Sequence, residues 1–209
     1  MRKIVYAFMC MVLGFSFSYA DDLMEGLSAY EHQDFAKAAE HFEISCANGN
    51  AEACYNLANM YDAGLGVYKN DTKAIEFLNR ACEGGMLDAC YNLGVMFEDG
   101  EGVSKDAIKA FTLFYKTCEN GHTRGCYSVA LMYYKGQGVQ QNYAKAFELF
   151  EKTCSEGYEK SCYNLGVMYR NGQGVQKDLN KALTLYQKAC EQGLSIACDK
   201  YGKLKSEMQ

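Results

Sequence analysis

Residues 90–103 read CYNLGVMFEDGEGV, and residues 162–175 read CYNLGVMYRNGQGV. The same block stands as CYNLANMYDAGLGV at 54–67 and as CYSVALMYYKGQGV at 126–139, so it recurs every 36 residues. Other positions keep the same step. A Lys-Ala pair begins at Lys37, Lys73, Lys109, Lys145 and Lys181, and a glycine recurs at Gly49, Gly85, Gly121, Gly157 and Gly193. A fixed period of this length is the signature of a repeat array rather than of one globular core.

Each block predicts two helices. In residues 90–103, Leu93, Met96 and Phe97 fall at the three-and-four spacing that puts apolar side chains on one helical face. The Gly100-x-Gly102-Val103 loop then breaks the helix. A second stripe, Ile108, Phe111, Phe114 and Tyr115, predicts a second helix ending near Cys118. Gly121 is placed to be the left-handed residue that closes it. Small residues at Ala58, Gly94, Ala130 and Gly166 leave room for neighbouring helices to approach.

Cysteines carry the same rhythm. Beyond Cys10 they stand at 46, 54, 82, 90, 118, 126, 154, 162, 190 and 198, with alternating gaps of 8 and 28. The first of each pair closes one helix and the second sits just inside the next. The expected bridges are therefore Cys46–Cys54, Cys82–Cys90, Cys118–Cys126, Cys154–Cys162 and Cys190–Cys198. Ala53, Ala89, Gly125, Ser161 and Ala197 precede the second cysteine and permit the close approach a disulfide needs. Closing a loop of about nine residues is worth about 2.6 kcal/mol in loop-closure entropy. Zinc sites and redox centres favour C-x-x-C or Cys/His spacing, which is missing, and His32, His41 and His122 are scattered. Neither a metal nor an organic cofactor is expected.

The small and aromatic positions of these blocks resemble the Sel1-like repeat, a relative of the tetratricopeptide repeat. That resemblance implies an all-α fold, an α/α right-handed superhelix (solenoid) of helical hairpins. Residues 27–46, LSAYEHQDFAKAAEHFEISC, lack the Gly-x-Gly-Val loop and look more like an ordinary tetratricopeptide unit. With cysteines eight apart behind a signal peptide, the chain also resembles the Helicobacter cysteine-rich protein family. That likeness implies an exported helical-repeat protein, with penicillin binding or weak β-lactamase activity and recognition by a host among the family's described properties.

The N-terminus carries its own signal. Arg2 and Lys3 precede an uncharged apolar stretch from Ile4 to Phe17, and Ser18-Tyr19-Ala20 supplies a cleavage site before Asp21. The stretch is short for a membrane span, and no second one follows. The expected organisation is a signal peptide over 1–20, which takes Cys10 with it. A tetratricopeptide-like unit follows over 21–53, four 36-residue repeats over 54–197 and a polar capping helix over 198–209. The destination is the periplasm or the exterior. The formal charge of −5 becomes two units more negative when Arg2 and Lys3 leave. Together with the lack of any basic run, that charge argues against nucleic acid and anionic membrane surfaces as partners.

The sequence lacks the catalytic motifs of the common serine β-lactamases. No serine has a lysine three positions on, and both Lys-Thr pairs, Lys116-Thr117 and Lys152-Thr153, run into cysteine where Lys-Thr-Gly is required. Tyr68-Lys69-Asn70 matches a loose Tyr-x-Asn element in a loop. Asn70-Asp71-Thr72 has the form of a glycosylation acceptor, yet suits a helix N-cap better. Two periodic rows remain. Tyr55, Tyr91, Tyr127 and Tyr163 follow cysteines and suit packing between repeats. Asn56, Asn92 and Asn164, with Ser128 substituting once, either bond within the hairpins or line a concave groove, where Tyr55, Tyr91 and Tyr163 would flank them. The function favoured is binding of an extended peptide or protein segment, of cell-wall or host origin. The alternatives are β-lactam recognition or hydrolysis, implied by resemblance alone, and a purely structural or host-facing role.

Overall fold

A computed structural model describes residues 21–209, so the signal-peptide segment 1–20 and Cys10 lie outside the described residues. All regular structure among the described residues is helical. The chain divides into two compact units, one ending at Lys105 and the other starting at Asp106. The first holds α1 (21–31), α2 (Phe35–Ala47), α3 (Ala51–Ala63), α4 (Asp71–Glu83) and α5 (Leu87–Asp99). The second holds α6 (Ala107–Glu119), α7 (Thr123–Lys135), α8 (Tyr143–Ser155), α9 (Glu159–Asn171), α10 (Leu179–Glu191) and α11 (Ser195–Glu207). The helices α3, α5, α7 and α9 carry the Cys-Tyr blocks and are the first helices of their repeats. Even-numbered helices carry the Lys-Ala pairs.

Local chemistry sets these boundaries. Asp34, Asn70, Asp106, Asn142 and Asp178 each accept the backbone N–H three residues later, at 2.9–3.2 Å, and so start the second helices. Asn70 is therefore the N-cap of α4. The same helices end in a Schellman motif: after α4, the Gly85 N–H donates to Cys82 O at 3.1 Å and the Met86 N–H to Ala81 O at 3.0 Å. That geometry needs the left-handed conformation, and Gly85 has φ +91°. In the Gly-x-Gly loop, Gly138 serves a second purpose. A Cβ there would lie 2.1 Å from Ala107 O, so the loop after α7 can lie flat on the start of α6 only without a side chain.

Packing follows the predicted face in the first helices: α5 buries Leu93, Met96 and Phe97. In α6 the expected stripe holds only in part: Phe114 is buried as expected, but its neighbours in the core are small. The buried residues are Ala110, Phe114, Thr117 and Cys118, while Ile108 and Tyr115 are 69% and 43% exposed. The true face is marked by small residues, because this helix is held close to α7. Phe42, Phe114, Phe150 and Tyr186 are the large anchors at equivalent sites, each nearly fully buried. Each is worth about 1.5–3 kcal/mol of apolar burial.

All five expected disulfides are formed, with Cα–Cα distances of 4.4–4.7 Å. Each joins the last turn of a second helix to the first turn of the next hairpin's first helix. The bridge thus staples neighbouring hairpins together rather than closing one hairpin on itself.

Candidate functional site

The Asn and Tyr rows lie on the first helices and meet each other. In the first unit, Asn92 Nδ2 donates to Tyr55 Oη at 3.2 Å. In the second, Asn164 Nδ2 donates to Tyr127 Oη at 3.2 Å. Each asparagine therefore reaches back one repeat to the tyrosine that follows the preceding cysteine. These residues are half-buried, as are Asn56, Tyr91 and Tyr163, whereas Ser128 is buried. A carboxamide has two N–H groups; with one on the phenol, the other N–H and the carbonyl oxygen retain donor and acceptor capacity.

The tyrosine rings pack within their own repeats rather than between repeats, and it is their hydroxyls that meet the next repeat. Tyr127 meets Tyr158 edge-on at 4.9 Å and Phe150 at 5.8 Å, and Tyr163 lies 5.7 Å from Tyr186. Burial pushes the Tyr186 phenol up to about 12. The recurring lysines have a structural role that the sequence did not disclose. Lys73, Lys145 and Lys181 lie over the rings of Tyr61, Tyr133 and Tyr169 at 4.7, 5.1 and 5.1 Å. Lys73 Nζ also donates to Tyr61 Oη at 3.0 Å, and that bond raises the ammonium above its usual value.

Two clefts accompany these rows. In the first unit a cleft of about 180 Å³ opens between α3 and α5, with Ala74, Leu78 and Met96 beneath and Asp62, Asn92 and Glu101 at its edge. In the second unit a wider cleft of about 440 Å³ lies between α8 and α10, over Leu165, Tyr169 and Leu185. Its polar groups are engaged: Lys188 Nζ donates to Cys154 O at 3.1 Å, Ser155 Oγ to Lys152 O at 2.6 Å and Thr184 Oγ1 to Asn180 O at 3.1 Å. Both hydroxyls, of Ser155 and Thr184, are thus committed to backbone carbonyls.

The three histidines stand apart. His41 sits between Asp22 and Glu25, 3.2 Å from each, His32 bonds Ser28 O at 2.8 Å, and His122 Nδ1 accepts from the Gly125 N–H.

The sequence profile of the Sel1 repeat matches residues 23–50, 51–86, 87–122, 123–158 and 159–194. The profile thus includes the opening unit that lacks the Gly-x-Gly-Val loop. Among curated proteins none matches the chain. Among solved structures, a Sel1 repeat protein from Oxalobacter formigenes is 30% identical with a TM-score of 0.77, over 84% of this chain and 72% of its own. A protective antigen of uropathogenic Escherichia coli, described as displaying an SLR fold, is 28% identical with a TM-score of 0.84; the match covers 89% of this chain but 41% of that one. Cysteine-rich protein B of Helicobacter pylori is 30% identical over 62% of this chain and 92% of its own, with a TM-score of 0.49.

Proposed function

The chain belongs to the Sel1 repeat family, and from that premise we propose that it is an exported binding module that holds an extended peptide or protein segment on the face of its first helices. What carries the reading is the Asn row: Asn56, Asn92 and Asn164 share one column of the repeat with Ser128, and Asn92 and Asn164, each anchored by one N–H to a tyrosine, retain an N–H and a carbonyl oxygen. Neighbouring packed helices lie about 8–10 Å apart, and an extended strand advances about 3.3 Å per residue. Within each unit, successive rungs (Asn56 and Asn92 in the first, Ser128 and Asn164 in the second) then meet a bound backbone about every third residue, whatever its side chains. Tyr55, Tyr91 and Tyr163 flank the row, and Ser128 is its shorter rung.

Export is supported by the five disulfides, which persist in oxidising compartments. N-terminal sequencing of protein recovered outside the cytoplasm should begin at Asp21; a start at Met1 contradicts this. Hydrolysis of β-lactams, implied by the cysteine-rich likeness, has no residue here to support it, and nitrocefin turnover tracking protein mass through a second purification would reverse that judgement.

The binding test uses a peptide selected against the oxidised protein from a displayed random library. Asn92→Ala with Asn164→Ala should weaken it by roughly 0.5–1.5 kcal/mol per lost amide contact. Circular dichroism confirms that the double variant is folded. Unchanged affinity in the folded variant means that the row serves only to join repeats.

A further inference from the structure

We propose that the cleft between α3 and α5 is a subsite for one cationic side chain, lysine or arginine, of the bound segment. This rests on the binding reading above and gives it a chemical preference. At about 180 Å³ the cleft is smaller than the roughly 300–1,000 Å³ that encloses a whole small ligand. It is sized for a side chain. Its base is apolar (Ala74, Leu78 and Met96), whereas its edge carries Asp62 and Glu101. An apolar stem with a positive head fits that combination, because lysine and arginine bury their methylenes and keep the charge at the rim.

Surrounding charge points the same way. Neither α3 nor α5 contains a lysine or arginine, while Glu52, Asp62, Asp88, Glu98 and Asp99 stand on them. On α4, Lys73 is committed to Tyr61, and the cation paired with the edge is Lys69. Its ammonium lies 3.9 Å from Asp62 and 3.4 Å from Asp71, on an exposed side chain that an incoming head can displace. Asp62 is thus already within reach of an ammonium in the unliganded chain.

Equivalent positions in the second unit show the cleft closed. There Tyr134 replaces Asp62, Phe150 replaces Leu78 and Gln173 replaces Glu101. Tyr134 Oη donates to Gln173 Oε1 at 2.9 Å, so the ring bridges the edge and stands 6.5 Å from Phe150. One repeat further on, Arg170 replaces Asp62 and pairs with Glu207 at 3.0 Å. The second unit fills with its own side chains what the first leaves open.

The test compares two acetylated, amidated ten-residue peptides on the full oxidised protein, one carrying lysines at every third position and the other norleucine. Fluorescence anisotropy at low salt gives both affinities. The lysine peptide should bind about tenfold more tightly, given the size of effects expected from opposite charges brought together. Asp62→Tyr with Glu101→Gln, which copies the closed edge, should remove most of that preference while the norleucine peptide keeps its affinity. Asp62→Asn with Glu101→Gln preserves side-chain shape and should reduce the preference too, which guards against a packing fault in the tyrosine variant. Equal binding of the two peptides by the unaltered protein, or a preference untouched by both double variants, overturns the subsite but not the binding face. Failure of both peptides to bind contradicts the subsite and the binding face together.

Discussion

Gly125→Ala should destabilise the second unit, and Thr117→Ala in the same chain should relieve it. A Cβ at Gly125 would lie 2.0 Å from Thr117 Oγ1, 3.0 Å from Thr117 Cβ and 3.2 Å from the Cys118 backbone nitrogen. Thr117 is fully buried, and its hydroxyl already donates to Phe114 O at 2.8 Å. The adjacent Cys118–Cys126 bridge holds the two helices at a Cα–Cα distance of 4.4 Å, against 4.7 Å at Cys154–Cys162. At that wider position Thr153 faces Ser161, with their oxygens 2.6 Å apart. Accommodating a Cβ at 125 therefore requires the Thr117 hydroxyl to move by about an ångström, through a turn of its stiff β-branched side chain, together with a few tenths of an ångström of backbone separation. Overpacking of this kind costs about 1–3 kcal/mol, and the helix propensity gained by replacing glycine returns about 1 kcal/mol. A net loss of about 1 kcal/mol is expected, or about 2–4 °C in Tm for a chain of this size. The double variant reproduces the Ala81/Ala89 pair of the first unit, so a double-mutant cycle should show a favourable coupling of about 1–2 kcal/mol. Thermal and urea unfolding of the oxidised proteins supply the four stabilities. A neutral or stabilising Gly125→Ala, with no coupling to Thr117→Ala, would refute the argument that close approach requires glycine there.

Three further outcomes follow from the same structure. Non-reducing peptide mapping should recover the five eight-residue pairs, and reduction should lower Tm while leaving most helicity, since each loop contributes about 2.6 kcal/mol to helices that are patterned on their own; long-range pairs or free thiols contradict it. Ser45 Oγ is buried without a hydrogen-bond partner among the described residues, so Ser45→Ala should leave stability unchanged or raise it by up to about 1 kcal/mol, and a clear loss in chemical denaturation refutes this. Burial lifts the Tyr186 phenol to about 12 from an unfolded value of about 10; its contribution is present below pH 10 and lost as pH rises through the folded value, so the protein should weaken between those limits and Tyr186→Phe should flatten that decline.

The repeat, its helices and its bridges were legible because each rests on local chemistry at fixed spacing: N-cap to backbone N–H, glycine to Schellman turn, cysteine to cysteine across eight residues. The face of α6 was legible only in part. Beside the expected Phe114, its contact surface is made of Ala110, Thr117 and Cys118, small residues that are hard to pick out next to the exposed Ile108 and Tyr115. The Asn and Tyr rows were visible as rows, yet their mutual bond links Asn92 to Tyr55 across 37 residues, a register that sequence spacing alone does not reveal. Lysine over tyrosine is similar: Lys73 and Tyr61 stand on different helices, and only the hairpin brings them together. Asp62, Tyr134 and Arg170 share one column of the repeat, but what that column does depends on a cleft that exists only once α3 and α5 are packed.

The central claim is most directly tested by mapping where a bound peptide sits. Amide chemical-shift changes in the isotopically labelled, oxidised protein, recorded on titration with the selected peptide, locate the contact residue by residue. The account predicts that the largest changes cluster at Tyr55–Asn56, Tyr91–Asn92 and Tyr163–Asn164 on the first helices. Changes confined to the second helices, such as those along α8 and α10, would contradict it.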